Sequence, residues 1–262
     1  TAYGPELAKR FSVGSFQYVA CSGAVTADLF SANHEYGSEA PQLSVLSPQT
    51  SVVTLTIGGN DVGFASILEA CVYGIGYNAP GCSQNPAVTG MVDYNLAALS
   101  NLSTTCPSSG LPVSEASGTP MTSWLCVLLA IHADAPNAVI DLVGYPPLFG
   151  NFTASSCQVG TLDGFYPLYI GQGDARWLNS VQAQSVTDEE AAVSVAKSMG
   201  VRAYFADVSP QFAGHGFCDS GTTYFHPITV TTSLGGTLTA PGSMHPNAQG
   251  ISADVRAIER SL

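Results

Sequence analysis

The fold of this chain is decided by the stretch from Ser51 to Asp61, which reads SVVTLTIGGND. Its first part is rich in β-branched and apolar side chains and predicts a buried β-strand from Ser51 to Ile57. Gly58 and Gly59 follow, and two glycines let the backbone turn tightly where a strand ends. An apolar helical pattern begins just after Asp61. The stretch therefore predicts a strand that turns directly into a helix.

Strands and helices alternate in the same way along the rest of the chain, which is the order expected when crossover helices join parallel strands. Further strands are predicted at Phe16–Ala20, Ala138–Val143 and Val201–Phe205. Helices are predicted at Pro5–Phe11, Thr26–Phe30, Val62–Ala70, Ala87–Leu102, Met121–Ala133, Asp174–Met199 and Pro246–Ser261. Long loops, expected to form the walls of a site, are predicted at Cys71–Pro86, Cys106–Pro120, Phe149–Gly173 and Phe212–Pro241. The prediction is a three-layer α/β fold in one domain, residues 1–262.

The composition narrows the class of protein. Of the 262 residues, 45% are hydrophobic and 10% are charged, which allows one large buried core. Seven Lys and Arg stand against 19 Asp and Glu, so the net charge is -12 and the surface should repel nucleic acids and anionic membranes. No apolar run approaches the roughly 18 residues that a transmembrane helix needs. We expect neither a nucleic-acid partner nor a transmembrane segment.

Seven cysteines without CxxC spacing or nearby histidines favour disulfides over a metal site. Together with 27 glycines and 16 prolines, they are typical of a secreted protein whose long loops need cross-links. The local pairs predicted are Cys71 with Cys82, Cys106 with Cys126, and Cys157 with Cys218. This pairing leaves Cys21 alone.

Two short motifs carry side chains suited to acyl transfer. Asn60 follows the end of a strand, where α/β sheets bind ligands, and its NH2 group can stabilise an oxyanion. A plain turn, in which Asn60 or Asp61 caps the next helix, is the structural alternative. His245, in the run GSMHPN from Gly242 to Asn247, directly precedes a predicted helix, where a general base is held in one orientation.

A third motif, ACSGA from Ala20 to Ala24, follows a predicted strand, and its Gly23 can offer a backbone N–H to an anion. Together and in this order, the three motifs resemble the SGNH hydrolases, the GDSL-type esterases and lipases. Gly23 matches the glycine of the family's second block, GGND at 58–61 its third block, and His245-Pro246 its fifth. The CSGA run and GHGFC at 214–218 look like the secreted actinobacterial branch of lipases and phospholipases.

The resemblance covers nearly the whole chain and implies an α/β/α, flavodoxin-like fold with a central parallel sheet. It implies a secreted ester hydrolase that works through an acyl-enzyme, needs no cofactor or metal, and uses His245 as the general base. Asn60 and the Gly23 N–H would form the oxyanion hole. Gly59 and His215 are expected to line the substrate site. The alternatives are a catalytically dead SGNH-like binding protein, an acyltransferase, or a carbohydrate esterase of the same fold.

The chain departs from the family at the residue that orients the histidine. Where the family often has the Asp of DxxHP, this sequence has Gly242. Some members are understood to use a main-chain carbonyl there, so we predict that the Gly242 carbonyl accepts the proton of His245 Nδ1. A distant carboxylate, Asp219, is the alternative.

The second departure concerns the nucleophile, because the sequence contains no GDSxS block. In the family this block ends the first strand, which lies inside the sheet, some tens of residues before a stretch like 1–8. Similar lipases pair the Cys of the CSGA run with a Cys from that preceding part. We therefore expect the serine on a separate N-terminal peptide joined to Cys21 by a disulfide, with a truncated sequence as the alternative. Ser220, in CDSG at 218–221, imitates the motif but lies in a predicted loop and follows no strand.

Overall fold

The structure is a computed structural model that describes residues 2–33, 38–73, 81–106, 112–233, 236–240 and 242–262. Its helices are α1 (Tyr3–Arg10), α2 (Gly59–Val62), α3 (Phe64–Cys71), α4 (Pro86–Leu99), α5 (Trp124–Asp134), α6 (Gln172–Ser198), α7 (Ser209–Phe212) and α8 (Ala248–Ser261). Its strands are β1 (Val52–Leu55), β2 (Val72–Tyr73), β3 (Val139–Val143), β4 (Ser156–Leu162), β5 (Tyr166–Gly171), β6 (Ala203–Ala206), β7 (Ile228–Ser233) and β8 (Gly236–Thr239). Short 3-10 helices lie at Thr26–Leu29, Gln42–Val45 and Cys82–Gln84.

A parallel sheet with the strand order β1-β3-β6 forms the centre of the described fold. The register places Thr54 beside Asp141 and Leu142 beside Phe205. Strand β3 is nearly all apolar and buried on both faces, as expected of a parallel strand covered by helices on each side. This central sheet confirms the predicted α/β class with a parallel sheet.

The two faces of the central sheet are covered by different helices. Ile140 and Leu142 pack on one face against α5 and α6. On the other face Val143 packs against α8, and α1 lies beside α8. A hydrogen bond also connects α8 to this second face. Ser261 Oγ of α8 donates to Asp141 Oδ2 of β3 at 2.7 Å. The sheet is therefore the middle of three layers.

Most of the predicted helices are present with shifted ends. The predicted helix Val62–Ala70 is broken at Gly63, whose positive φ of 93° separates α2 from α3. The last helix begins at Ala248, after Asn247, whose Oδ1 accepts from the N–H groups of Gln249 and Gly250. No described helix is long and apolar enough to cross a membrane.

The prediction of a strand at Phe16–Ala20 is wrong for the described structure. This segment has no strand assignment, and the side chains of Phe16 and Tyr18 are about half exposed. A strand needs a neighbour to which its N–H and C=O groups can bond. No neighbour lies beside this segment among the described residues.

A second sheet, with the strand order β2-β5-β4-β7-β8, occupies regions that were predicted as loops. Strands β4 and β5 form an antiparallel hairpin within Phe149–Gly173, and β7 and β8 form another within Phe212–Pro241. The hairpins join through the parallel pair β4 and β7. The loop prediction is therefore wrong over more than half of the first segment and over about a third of the second.

The three predicted disulfides are confirmed: Cys71–Cys82, Cys106–Cys126 and Cys157–Cys218. The first joins α3 to the 3-10 helix Cys82–Gln84, and the third joins β4 to the loop before β7. Cys21 is free within the described chain, and its Sγ donates to the Val19 carbonyl at 3.4 Å.

Candidate active site

The turn after β1 is built around two glycines that could not be replaced without a clash. Gly58 has φ 115°, a backbone conformation that L side chains rarely adopt, and a Cβ there would lie 3.0 Å from the Trp124 ring. The indole Nε1–H of Trp124 also donates to the Ile57 carbonyl at 2.9 Å. At Gly59 a Cβ would lie 2.9 Å from Tyr145. The turn therefore holds the next residue, Asn60, on a rigid support.

Asn60 and Gly23 are brought together by one side-chain hydrogen bond. Asn60 Nδ2 donates to the carbonyl of Ala24, the residue after Gly23, at 2.9 Å. An amide NH2 group has a second hydrogen, so one donor stays available. Gly23 has φ 73°, and its N–H has no acceptor among the described residues. The predicted oxyanion-hole donors are therefore neighbours, each with an N–H to offer.

The helix-capping alternative for Asn60 and Asp61 is wrong. The N-cap residue of α2 is Gly58, and no side chain caps this helix. Asp61 is fully buried, and its carboxylate accepts from the Thr26 N–H at 3.0 Å and from Thr26 Oγ1 at 2.6 Å. Thr26 Oγ1 in turn accepts from the Thr122 N–H at 2.8 Å. This bridge fixes the Gly23–Ala24 segment against the turn that carries Asn60.

Burial raises the pKa of Asp61 to about 6, although the hydrogen bonds from Thr26 act in the opposite direction. From the sequence, Asp61 was predicted at most to cap a helix. Its position directly after Asn60 in GGND was the available signal. The hydrogen-bond partner of Asp61 could not be predicted, because Thr26 lies 35 residues away along the chain.

The main-chain N–H of Gly59 makes a hydrogen bond within the protein. It donates to the Tyr145 hydroxyl at 3.0 Å, so this donor is not free for a ligand. Burial raises the pKa of Tyr145, which keeps its hydroxyl neutral beside the Gly59 N–H. The predicted contact between Gly59 and substrate stays a prediction.

His245 is exposed just before α8, and a main-chain carbonyl holds its ring. Nδ1 lies 2.9 Å from the Ser243 carbonyl oxygen. The Gly242 carbonyl instead accepts from the His245 main-chain N–H at 3.2 Å. The prediction that Gly242 binds Nδ1 is therefore wrong by one residue, because Met244 adopts a positive φ of 63° that turns the chain at this point. When Nδ1–H donates to the Ser243 carbonyl, Nε2 keeps its lone pair and can accept a proton.

Asp219, the alternative partner for His245, makes contacts with other residues instead. Its Oδ2 accepts from the Gly216 N–H at 2.9 Å, and its carboxylate packs closely against Gly150. Ser220 is exposed in the same loop, outside any strand. Neither residue has a hydrogen bond to His245 in the described part of the chain.

His215 stabilises its own loop. Its ring stacks on Tyr224 with centroids 3.8 Å apart, and Nδ1 lies 2.9 Å from the Thr222 carbonyl oxygen. These contacts occupy one face and one nitrogen of the ring. The predicted role of His215 in substrate binding stays a prediction.

Open space lies beside the carbonyl that holds His245. A cavity of about 320 Å³ is lined by His226, Pro227, Thr229, Ala240, Gly242 and Ser243. A second cavity, of about 510 Å³, shares Pro227 and extends along β4 past Gln158 and Thr161 to Asp219. Both cavities have walls from the second sheet, so this sheet shapes the surface next to the candidate base.

Lipases from Streptomyces are similar to this chain in sequence. No protein-family model matches the chain. A lipase from Streptomyces rimosus is 29% identical over 235 residues, which are 90% of this chain and 65% of that protein. Lipase 2 from Streptomyces coelicolor is 31% identical over 238 residues, which are 88% of this chain and 66% of that protein. The chain thus spans about two thirds of the length of these curated relatives.

Two solved structures share the fold. Phospholipase A1 from Streptomyces albidoflavus NA297 superposes with a TM-score of 0.65 and 25% identity, over 100% of this chain and 86% of that one. The extracellular lipase from Streptomyces rimosus gives 0.63 and 23% identity over the same shares. The chain thus has the α/β fold of these two solved structures. In sequence, the chain is similar to lipases from Streptomyces.

Proposed function

We propose that this chain supplies the general base and the oxyanion-binding groups of a secreted serine ester hydrolase. The observation that carries the proposal is the bond between Asn60 Nδ2 and the Ala24 carbonyl. This bond brings the Asn60 side chain to the residue after Gly23, near the C-terminal end of β1, which supports Asn60 Nδ2 and the Gly23 N–H as the two proposed donors. His245 supports it, because its Nδ1 is engaged and Nε2 is left free. The disulfides and the names of the relatives support secretion.

In this mechanism the nucleophilic serine attacks the carbonyl carbon of an ester, and His245 Nε2 takes the hydroxyl proton. The imidazolium is stabilised by the Ser243 carbonyl through Nδ1–H. Negative charge develops on the carbonyl oxygen and is held by Asn60 Nδ2 and the Gly23 N–H. His245 then returns the proton to the leaving alcohol, and the acyl-enzyme forms. Water, deprotonated by the same His245, releases the acid and the free serine.

The serine is proposed to lie on an N-terminal peptide that adds a strand beside β1. Strand β1 is at the edge of the described sheet, and Val52 on it is 51% exposed. The segment 16–20 belongs to no strand and has no strand partner among the described residues, so it is available to pair with the other side of an added strand. Cys21 follows directly and is free within the described chain, and we propose that a disulfide from Cys21 holds the peptide.

The substrates proposed are lipid esters. The relatives are named lipases, and the solved structure at 25% identity is named phospholipase A1. The two cavities beside His245 are consistent with an ester that carries a bulky group, because together they extend well beyond the base itself. A panel of p-nitrophenyl esters and phospholipids would order the preferred chain lengths.

A fluorophosphonate probe, combined with intact mass measured before and after reduction, tests both parts of the proposal. We expect the probe to label a small peptide that separates from the 27.0 kDa chain when disulfides are reduced. Label on Ser220 within this chain would overturn the peptide hypothesis and retain a hydrolase. The absence of any label would favour a non-catalytic binding protein.

The substitution Asn60→Ala tests the oxyanion hole. We expect turnover of a p-nitrophenyl ester to fall by about 10² to 10³-fold, because the transition state loses one preorganised donor. The folded state should persist, since the Asn60 side chain makes one bond at the surface of the turn. Asn101→Ala, at an exposed asparagine in the loop after α4, is the control and should keep full activity. Full activity of Asn60→Ala would refute the assignment.

A further inference from the structure

The tip of the β4–β5 hairpin presents two aromatic rings to solvent. Phe165 is 85% exposed and Tyr166 is 54% exposed. These are the highest exposures among the large hydrophobic side chains that the structure describes. The two residues are neighbours in sequence and share one turn. A second exposed group, Phe11, Val13, Phe16 and Tyr18, is about half exposed and lies in and next to the segment proposed above to pair with an added strand. Solitary exposed apolar residues are ordinary, but this pair is concentrated at one protruding point.

The turn that carries the rings is held rigidly. Asp163 and Gly164 have φ of 53° and 75°, both in the left-handed region that suits a tight hairpin. The Asp163 carboxylate accepts from the Thr232 N–H at 2.6 Å and from Thr232 Oγ1 at 2.7 Å. The Asp163 N–H donates to the Val230 carbonyl at 2.7 Å. The two rings are therefore carried by a turn that is anchored to β7. Because this turn is already ordered, binding through the rings costs little conformational entropy.

The size of this surface argues against a protein partner or a second copy of the chain. Two aromatic side chains can bury about 150 to 250 Å² each. A stable protein interface needs roughly 800 Å² per partner. A hairpin tip cannot reach that area without a matching groove. A lipid surface has no such requirement, because it accommodates an inserted side chain of any shape.

The net charge of the chain indicates which kind of lipid surface it can bind. The chain has a net charge of -12, so an anionic lipid surface would repel it. The charged group in the turn, Asp163, has both carboxylate oxygens engaged by Thr232. Phenylalanine with tyrosine also suits the membrane interface, where an apolar ring inserts and a hydroxyl stays among the headgroups.

We propose that Phe165 and Tyr166, here called the hairpin tip, dock this protein on zwitterionic phospholipid surfaces. The tip inserts its rings among the headgroups and upper acyl chains and orients the second sheet toward the lipid. Because docking needs no turnover, the proposal goes beyond the hydrolase activity proposed above and can fail independently of it.

Sedimentation with sucrose-loaded vesicles tests the docking. The lipid is a dialkyl ether phosphatidylcholine, which has no ester bond that could be hydrolysed. We expect the wild-type protein to bind, and Phe165→Ser to lower the partition coefficient at least about tenfold, because a ring worth several buried CH2 groups is lost. Tyr94→Ser, which removes an exposed ring from α4, is the matched control and should bind as the wild type does.

A second variant keeps the test decisive if a serine disturbs the turn. Phe165→Trp should retain binding and shift its fluorescence to shorter wavelength when the vesicles are added. Hydrolysis of a short, water-soluble ester should be equal in Phe165→Ser and the wild type. Equal vesicle binding by Phe165→Ser, no binding by the wild type, or stronger binding when anionic lipid is added would each overturn the proposal. So would a change of oligomeric state in Phe165→Ser, measured by light scattering.

Discussion

The two sheets of this molecule are stabilised in different ways. The central sheet has short strands of apolar residues, and helices cover both of its faces. The second sheet has alternating burial, seen in β5, where Leu168 and Ile170 point into the core and their neighbours do not. It is held also by Cys157–Cys218 and by the Asp163–Thr232 bonds. The central sheet depends on burial, and the second depends in part on local cross-links.

This difference separates the two halves of the candidate site. Asn60 and Gly23 are attached to the central sheet through the buried Asp61–Thr26 bridge. His245 follows the second sheet, and its main-chain carbonyl accepts from the His226 N–H at 2.9 Å, just before β7. The proposed oxyanion donors are therefore fixed by the core, whereas the candidate base and the cavity walls depend on the less buried sheet. Perturbing each region separately should have distinct effects.

The largest effect is expected from breaking the bridge at the central sheet. Asp61→Ala leaves the Thr26 N–H buried without its acceptor, and Thr26 Oγ1 loses its acceptor too. We expect the free energy of unfolding to fall by about 3 kcal/mol, the sum of two unmade buried hydrogen bonds. Urea denaturation measures it. The control is Asp93→Ala, at an exposed position on α4. If the free energy of unfolding of Asp61→Ala fell by less than about 1 kcal/mol, the role assigned to Asp61 would be wrong.

A smaller and more local effect is expected in the second sheet. Replacing Cys157 and Cys218 together by Ser removes a cross-link between residues 61 apart. We expect the free energy of unfolding to fall by about 2 kcal/mol. This is at the low end for the loss of a disulfide, because the hydrogen bonds between β4 and β7 still close part of the loop. Hydrogen exchange should quicken in β4, β5 and β7 but not in β1, β3 or β6.

The comparison for this prediction is the double replacement of Cys106 and Cys126, which lie outside the second sheet. That variant should leave exchange in β4, β5 and β7 unchanged. If the Cys157–Cys218 variant instead loosened both sheets equally, the two regions would form one cooperative unit. The contrast between them would then be wrong.

The same difference explains how much could be predicted from the sequence. Strands such as Val139–Val143 are continuous apolar runs beside clear helical patterns, so local sequence was sufficient to find them. Strands β4 and β7 were missed because glycine and threonine dilute their pattern and because they pair across a long stretch of chain. Phe16–Ala20 has the composition of a strand, but composition cannot supply the neighbour that a strand requires.

In the site, the side chains could be predicted and the main-chain contacts could not. Asn60 and His245 were predicted from their motifs, and their catalytic roles stay predictions. The Ser243 carbonyl was not, because its place depends on the positive φ of Met244, and a methionine gives no sign of that conformation. The contact between Asn60 and Ala24 likewise depends on how two distant turns pack.

The smallest effect predicted concerns acidic groups buried around the central sheet. Glu189 on α6 is fully buried, and neither carboxylate oxygen has a hydrogen-bond partner among the described residues. Burial raises its pKa well above the usual value, and nearby Asp188 and Asp207 add to the shift. Burial also raises the pKa of Asp254 to about 7. These shifts belong to the central region, so they test it independently of the second sheet.

The sign of the pH effect follows from proton binding. A carboxyl group whose pKa is raised by folding binds more protons in the native state, so stability falls as pH rises from its unfolded pKa toward its folded pKa. The Asp254 carboxyl contributes between its usual pKa of 3.8 and its raised pKa of about 7, and Glu189 contributes from its usual pKa of 4.5 upward. The protein should therefore unfold at a lower urea concentration at pH 8 than at pH 5.

Glu189→Gln removes one of these titrations while keeping nearly the same shape. At pH 8 we expect the variant to be more stable than the wild type by about 1 kcal/mol, because no charge has to be neutralised or buried. At pH 5 the two should be nearly equal, since the buried carboxyl is then protonated and as neutral as the amide. Glu190→Gln, at the exposed neighbouring position, should change neither value. A Glu189→Gln variant less stable than the wild type at pH 8 would show that the buried carboxylate has a partner. The central sheet would then depend on a specific polar contact as well as on burial.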